Sequence, residues 1–333
     1  MLPVKEVNIV PTFKCNLNCD FCLYSELRKD FNRTLLSVET LEKILNVLKR
    51  EDSGLKRVAV FGGEILLLER DYIYDLFSLI RKIFPDVAFG VVTNLLELPS
   101  WFESFVKHFT VYVSTSYEGL RFKPGSYLFK QWEENLEHVK SFLQPGINFV
   151  LTRDEKAYTD TLEVIKKHGI RHVHLINFTI PDYFPPEKKN YLYERYALTP
   201  SEYFQKFTGA IKYLSEFGIF VRGSTPITYT PLETLEIRPE GSVVITSFSE
   251  DGFPFEKELI INYEEERTIV NSRKRVDVIV DWLTNYPCVT CSLPMQYCLM
   301  EVRYPGVCPG VPDEETIYLL NQAEAEKVSL CLK

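Results

Sequence analysis

The chain has 333 residues, 45% of them hydrophobic, with 38 Lys and Arg against 46 Asp and Glu and a net charge of -8. That length suffices for one large α/β domain and a smaller one. The acidic balance argues against nonspecific nucleic-acid or anionic-membrane binding, and no apolar run approaches membrane-spanning length. Lys5 and Glu6 fall where the apolar core of a signal peptide would run, so the expected location is cytoplasmic. Eight cysteines in such a chain point to metal rather than to structural disulfides.

The first strand is predicted at Val7–Val10, and Ser37 then caps a helix whose apolar stripe is Leu41, Ile44, Leu45 and Leu48. A strand at Val58–Phe61 precedes a helix over Asp71–Phe84, with Ile73, Leu76, Phe77 and Ile80 on one face. Strands follow at Val87–Val92, Val111–Val113, Ile147–Leu151 and Val173–Leu175, with helices at Trp132–Phe142, Tyr158–His168 and Pro200–Phe217. The strands read as nearly continuous apolar runs, which suits a parallel sheet buried on both faces. Six such units make a partial (β/α)6 barrel, short of the complete eight, whose chemistry belongs on the loops after the strands. After residue 217 the pattern changes: Leu235–Thr246 reads as a β-hairpin turning at Pro239-Glu240-Gly241, and a cysteine-rich tail follows. The chain therefore divides into a barrel, 1–217, and a smaller domain, 218–333.

Cys15, Cys19 and Cys22 form a C-x3-C-x2-C run just after the first strand. Three thiolates so close suit an iron–sulfur cluster, whereas zinc motifs usually come as two C-x2-C pairs. They are one fewer than a four-iron cluster needs, and so leave one iron for another ligand. At these residues, with Phe21 before the last cysteine, the chain resembles the radical SAM superfamily. The resemblance implies a 4Fe–4S cluster whose open iron is chelated by S-adenosylmethionine.

Further motifs at strand ends carry the same resemblance. Gly62-Gly63-Glu64 ends the second strand and is similar to the family's glycine–glycine–glutamate motif. Its glycines allow close backbone approach, and the resemblance assigns backbone and acid to the amino group of the methionine moiety. The family often has proline next, where this chain has Ile65. Thr93-Asn94 ends the third strand where relatives show Thr-Asn-Gly, with Leu95 in place of the glycine; Asn94 is either a cofactor contact or a turn cap. Ser114 matches a serine that reaches the ribose, and Ser116 replaces the family's aspartate. Arg153 ends the fifth strand, where its fork suits the carboxylate of S-adenosylmethionine or a surface salt bridge. His172 and His174 read as structural.

The tail holds Cys288, Cys291, Cys298 and Cys308, a complete tetrad able to hold a second 4Fe–4S cluster or a structural zinc. With the hairpin it resembles the SPASM or twitch extension of radical SAM enzymes, here reduced to one auxiliary cluster. Cys331 is left over, and a spare thiol can donate a hydrogen atom to a substrate radical, although chain ends fray.

The resemblance implies reductive cleavage of S-adenosylmethionine to a 5′-deoxyadenosyl radical, with electrons from a flavodoxin- or ferredoxin-type donor. The implied substrate is a peptide that is crosslinked, oxidised or epimerised; a sugar or other small molecule is the alternative, and a non-catalytic electron-transfer protein the second. A first strand at Val7 leaves no room for an N-terminal leader-binding module, which weighs against the peptide. The stretch Asn177–Thr199 is long for a βα loop. Its Tyr183, Phe184, Tyr191, Tyr193 and Tyr196 are expected either to line a substrate groove or to pack the two domains together. Arg121 and Lys123, after the fourth strand, are expected to attract an acidic group at the same face.

Overall fold

Strands and helices alternate over the first 224 residues, and the first seven strands lie side by side in sequence order. A computed structural model describes residues 4–50, 54–178, 180, 183–224, 234–248, 254–259, 315, 316, 318 and 319. β1 (Glu6–Ile9), β2 (Arg57–Val60), β3 (Ala88–Thr93), β4 (Val111–Ser116), β5 (Gly146–Leu151), β6 (His172–Asn177) and β7 (Phe220–Ser224) are all parallel to their neighbours. Parallel neighbours need crossovers. These contain α1 (Leu27–Phe31), α2 (Val38–Arg50), α3 (Arg70–Ile83), α4 (Phe102–Phe109), α5 (Tyr127–Lys140), α6 (Glu155–Lys167), α7 (Pro186–Tyr196) and α8 (Pro200–Ser215).

The helix starts are local chemistry. Ser37 accepts from the Thr40 N–H, Ser126 from that of Phe129 and Asp154 from that of Ala157. α8 begins with Pro200 behind a reciprocal Thr199–Glu202 capping box. α4 and α7 were not expected. α4 is short, and its stripe of Phe102, Phe105, Val106 and Phe109 lies in a sequence that reads as a connector. α7 starts at a proline, which marks a first helical turn as well as it marks a loop.

The sheet runs on past residue 217. β7 adds to β6, and β8 (Thr234–Ile237) lies parallel to β1 on the opposite side. β9 (Val243–Phe248) returns antiparallel, forming the expected hairpin around Gly241 at φ +87°, and β10 (Pro254–Leu259) pairs with β9. The ten-stranded order ends at β10 and β7, so the sheet is an open partial barrel.

The strands are not buried alike on both faces. Val7, Ile9, Val58, Val60, Phe89 and Val91 share one core with Leu41, Ile44, Ile73 and Phe77 of the surrounding helices. Alternate residues, among them Glu6, Asn8, Ala59, Gly90, Asn148 and His174, line a central cavity. An apolar run misleads here because Ala and Gly on the inner face count as apolar but leave space.

Candidate active site

The central cavity, about 420 Å³, runs from the first residues of the strands, among them Glu6, Arg57 and His172, to the loops at their carboxyl ends. Cys15, Cys19 and Cys22 all line it, as do Phe21, Gly62, Gly63, Asn94 and Ser114. The topology thus gathers residues separated by up to 99 positions in the chain onto one face. Each cysteine is a partly buried free thiol.

The cysteine loop is fixed from several sides. Leu17 N–H donates to Cys15 Sγ at 3.4 Å, and Asn94 Nδ2 donates to Asn16 Oδ1 at 2.7 Å, with Cys15 Sγ 3.9 Å away. Arg28 reaches back to the Leu17 carbonyl at 2.7 Å and to Asn18 Oδ1 at 2.8 Å. Burial pushes the Cys15 thiol up, against the pull of the Leu17 N–H, and pushes Cys19 up to about 12, against the attraction of Arg121. Such thiols stay protonated until a metal displaces the proton.

The two glycines make the close approach possible. Gly63 N–H donates to the Thr12 carbonyl at 2.9 Å and Glu64 N–H to that of Lys14 at 2.8 Å, so the end of β2 is stitched to the backbone leading into Cys15. Gly62 sits at φ +138°, and a Cβ there would lie 2.6 Å from Val10 Cγ1. A Cβ at Gly63 would lie 2.0 Å from the Lys14 carbonyl oxygen.

Glu64 is placed differently from expectation. Its side chain is buried and does not line the cavity. Oε1 accepts from Leu66 N–H at 3.0 Å and Thr93 Oγ1 at 2.7 Å, and Oε2 accepts from Asn94 N–H at 2.7 Å. Burial raises its pKa, while the donors on Asn94, Leu66 and Thr93 oppose the rise. The carboxylate therefore caps the short 3-10 turn Ile65–Leu67 and ties the ends of β2 and β3 together. The part of the motif that faces the cavity is its glycine backbone.

Asn94 takes the turn-capping role, Oδ1 accepting from Leu96 N–H at 3.0 Å, while Nδ2 holds Asn16 at the edge of the cavity. Leu95 adopts φ +56°, the left-handed conformation that a glycine would take without strain, and is fully buried. Relieving that strain is worth about 1–2 kcal/mol, whereas deleting a buried leucine costs about 3–5 kcal/mol. Leu95→Gly is therefore expected to destabilise the protein by about 1–4 kcal/mol, measured by urea denaturation; a gain in stability would show that strain dominates.

Ser114 is buried in the cavity wall and accepts from Asn148 Nδ2 at 3.3 Å, and Ser116 lines the same wall. Arg153 lies elsewhere: its guanidinium donates to the Glu194 carbonyl at 3.2 Å and to Glu202 Oε2 at 3.4 Å, bracing α7 and α8, and it does not line the cavity. Cys288, Cys291, Cys298, Cys308 and Cys331 lie outside the described residues.

Of the described residues in the stretch after β6, only Phe178 lines the cavity. None of Tyr183, Phe184, Tyr191, Tyr193 and Tyr196 lines the cavity. They brace the cysteine loop from behind. Tyr183 donates to the Leu23 carbonyl at 2.7 Å, and Tyr191 and Tyr196 donate to Asp20 Oδ2 at 3.0 and 2.9 Å. Phe184, Leu192 and Tyr196 pack with Phe21, Phe178 and Ile180. Within α7, Tyr191 and Tyr196 both reach Asp20, and Tyr193 packs beside the same cluster. Nothing local in the chain marks Asp20 or Arg28 as loop anchors, because their partners are 171 and 11 positions away.

Among the described residues, no three His, Cys, Asp or Glu gather around a single ion. The three thiols all face one cavity, and an iron–sulfur cluster takes each thiolate on a different iron, so it would not need them on one ion. The donor set fits a 4Fe–4S cluster with one iron left open.

An open parallel (β/α) barrel with a three-thiol pocket at its carboxyl face defines the class. The Radical SAM superfamily model matches residues 9–181. The chain belongs to the radical SAM superfamily, which implies a 4Fe–4S cluster and S-adenosylmethionine. In sequence it is 32% identical over 101 residues to GTP 3′,8-cyclase of Staphylococcus carnosus, covering 29% of this chain and 28% of the relative. It is 28% identical over 147 residues to the probable GTP 3′,8-cyclase of Methanothermobacter thermautotrophicus, covering 44% and 45%. The chain thus spans less than half the length of these curated relatives. In structure it resembles anSMEcpe with bound AdoMet and Cp18Cys peptide, with a TM-score of 0.65 and 17% identity over 99% of this chain and 97% of that one. It also resembles Streptococcus suis SuiB bound to precursor peptide SuiA, with a TM-score of 0.56 and 14% identity over 73% and 59%. At these identities the likeness is one of fold. No helix among the described residues is long and apolar enough to cross a membrane.

Proposed function

We propose that the protein is a radical SAM enzyme that cleaves S-adenosylmethionine reductively and abstracts hydrogen from a peptide, leading to a crosslink, an oxidation or an epimerisation. The observation that carries the reading is the opening of Cys15, Cys19, Cys22, Gly62, Gly63, Asn94 and Ser114 onto one cavity. When bound, the cluster and S-adenosylmethionine supply an electron and a 5′-deoxyadenosyl radical. The chain's own residues do the rest. The three cysteines hold the cluster, and the backbone at Gly62-Gly63 receives the amino group of the cofactor. Glu64 fixes that backbone through Leu66, Thr93 and Asn94. Phe21 and Ser114 flank the cofactor, and the barrel walls exclude water from it.

The peptide is favoured over a small molecule because the fold similarity to the two peptide-bound proteins extends over 99% and 73% of the chain. The similarity to GTP 3′,8-cyclases supports the small-molecule alternative but reaches at most 44% of the chain in the two relatives described. The tetrad Cys288, Cys291, Cys298 and Cys308 belongs, in this proposal, to a SPASM/twitch-like region with a second cluster. A flavodoxin- or ferredoxin-type donor supplies electrons in the cytoplasm. The net charge of -8 disfavours nucleic acid as a partner.

Anaerobically purified, reduced protein is expected to convert S-adenosylmethionine to 5′-deoxyadenosine, followed by mass spectrometry. Cluster-loaded protein that yields none would favour a non-catalytic electron carrier. Supplied in turn with deuterated peptides, deuterated hexoses and deuterated GTP, the enzyme is expected to move deuterium into 5′-deoxyadenosine from the peptides. Transfer only from a hexose or GTP would overturn the peptide reading.

A further inference from the structure

Arg121 sits in the wall of the cavity beside the cysteine loop. Its Nη1 lies 3.8 Å from Cys19 Sγ, and the guanidinium carbon lies 5.6 Å from the centre of the Phe21 ring. On the other side Nη2 donates to Glu118 Oε1 at 2.6 Å and Nε to Oε2 at 3.3 Å, a two-pronged grip. Glu118 is buried, and only 19% of the Arg121 side chain is exposed. A guanidinium so placed is not offered to solvent as a lure for acidic groups; it is aimed at a sulfur.

We propose that Arg121 is a positioning residue that raises the reduction potential of a cluster held by Cys15, Cys19 and Cys22, by donating to the Cys19 sulfur, while Glu118 fixes its fork. The proposal rests on the reading of those three cysteines as cluster ligands. Reduction adds one electron to the site. A fixed cation and an N–H donor at a ligating sulfur stabilise that added charge, and hydrogen bonds to sulfur together with net local charge are what set such potentials. The charged groups facing Cys19 are Arg121, Glu118 and the other two cysteines. A guanidinium keeps its charge even when buried. Arg121 touches the sulfur directly and Glu118 reaches it through Arg121, so the cation is the nearer charge.

The test is an EPR-monitored redox titration of the reconstituted full-length protein without S-adenosylmethionine. The signal followed is the one that disappears when Cys15, Cys19 and Cys22 are all replaced by Ala. Arg121→Gln is expected to lower the midpoint by at least a tenfold shift in the reduction equilibrium, about 59 mV for one electron. Glu118→Gln, which leaves the cation and removes its counter-charge, is expected to shift the midpoint the opposite way. A purely structural role would not move the two variants in opposite directions. If either single variant fails to fold, the double variant R121Q/E118Q removes both charges and leaves neither buried partner orphaned; its midpoint is expected below that of the wild type. Unchanged midpoints, or shifts of the same sign in the two single variants, overturn the proposal. Wild-type protein that binds no iron at these cysteines would instead overturn the cluster reading on which it rests.

Discussion

Replacing Cys15, Cys19 and Cys22 together by Ala is expected to reduce 5′-deoxyadenosine formation to background while leaving the fold intact. The two effects separate because of where the thiols lie. All three are only partly buried and line a cavity, so losing one sulfur removes little packed surface. The structural cost is about 1 kcal/mol or less at each position. The loop itself is held by Arg28, Asn94 and Asp20, none of which uses a sulfur as its main partner. Circular dichroism and urea midpoints of the metal-free proteins should therefore coincide closely. Iron and sulfide analysis should lose the share belonging to one cluster, with any remainder held by Cys288, Cys291, Cys298 and Cys308. Turnover at the wild-type level in the triple variant would remove these cysteines from the chemistry.

Gly63→Ala is expected to be nearly as damaging, by a different route. A methyl there would lie 2.0 Å from the Lys14 carbonyl oxygen, 2.6 Å from its carbon and 2.7 Å from the Phe13 carbonyl carbon. These are backbone atoms, so no rotamer relieves the overlap; the two segments must separate. Separation breaks the hydrogen bonds from Gly63 to Thr12 and from Glu64 to Lys14. It also disturbs Glu64, whose buried carboxylate depends on three donors. Together these losses are expected to cost about 3–5 kcal/mol, read as a drop in the urea midpoint, and to abolish cluster retention because Lys14 leads directly into Cys15. Gly90→Ala is the control. Its Cβ would come no closer than 4.0 Å to Ala59, so stability is expected to stay within about 1 kcal/mol of wild type. Equal behaviour of the two variants would mean that close approach at Gly63 is not required.

Much of the barrel was legible because its signals are local. Apolar strand cores, the stripe of Leu41, Ile44, Leu45 and Leu48, and the Pro239-Glu240-Gly241 turn each act over a few residues. The boundary expected at residue 217 shows the limit. β8 reads as half of a separate hairpin, yet it also extends the main sheet along β1, a pairing between residues more than 200 positions apart. Likewise the tyrosines after β6 carry the composition of a binding surface. Only the docking of α7 onto Phe21 and Asp20 set them against the cysteine loop.

The sequence by itself determined the candidate donors and their order: three closely spaced thiols, a glycine pair at the end of β2 and polar residues at the ends of β3 and β4. Spacing and residue type are enough for that, since coordination chemistry depends on which atoms are available. The tertiary structure alone decided which of those atoms face the cavity. Glu64 turns inward because three donors converge on it. Arg153 turns toward α7 and α8, and Arg121, expected to attract an acidic group at the active face, is clamped by Glu118 against Cys19. The direction of a side chain is set by partners far away in the chain, and burial selects the arrangement in which each charge finds one.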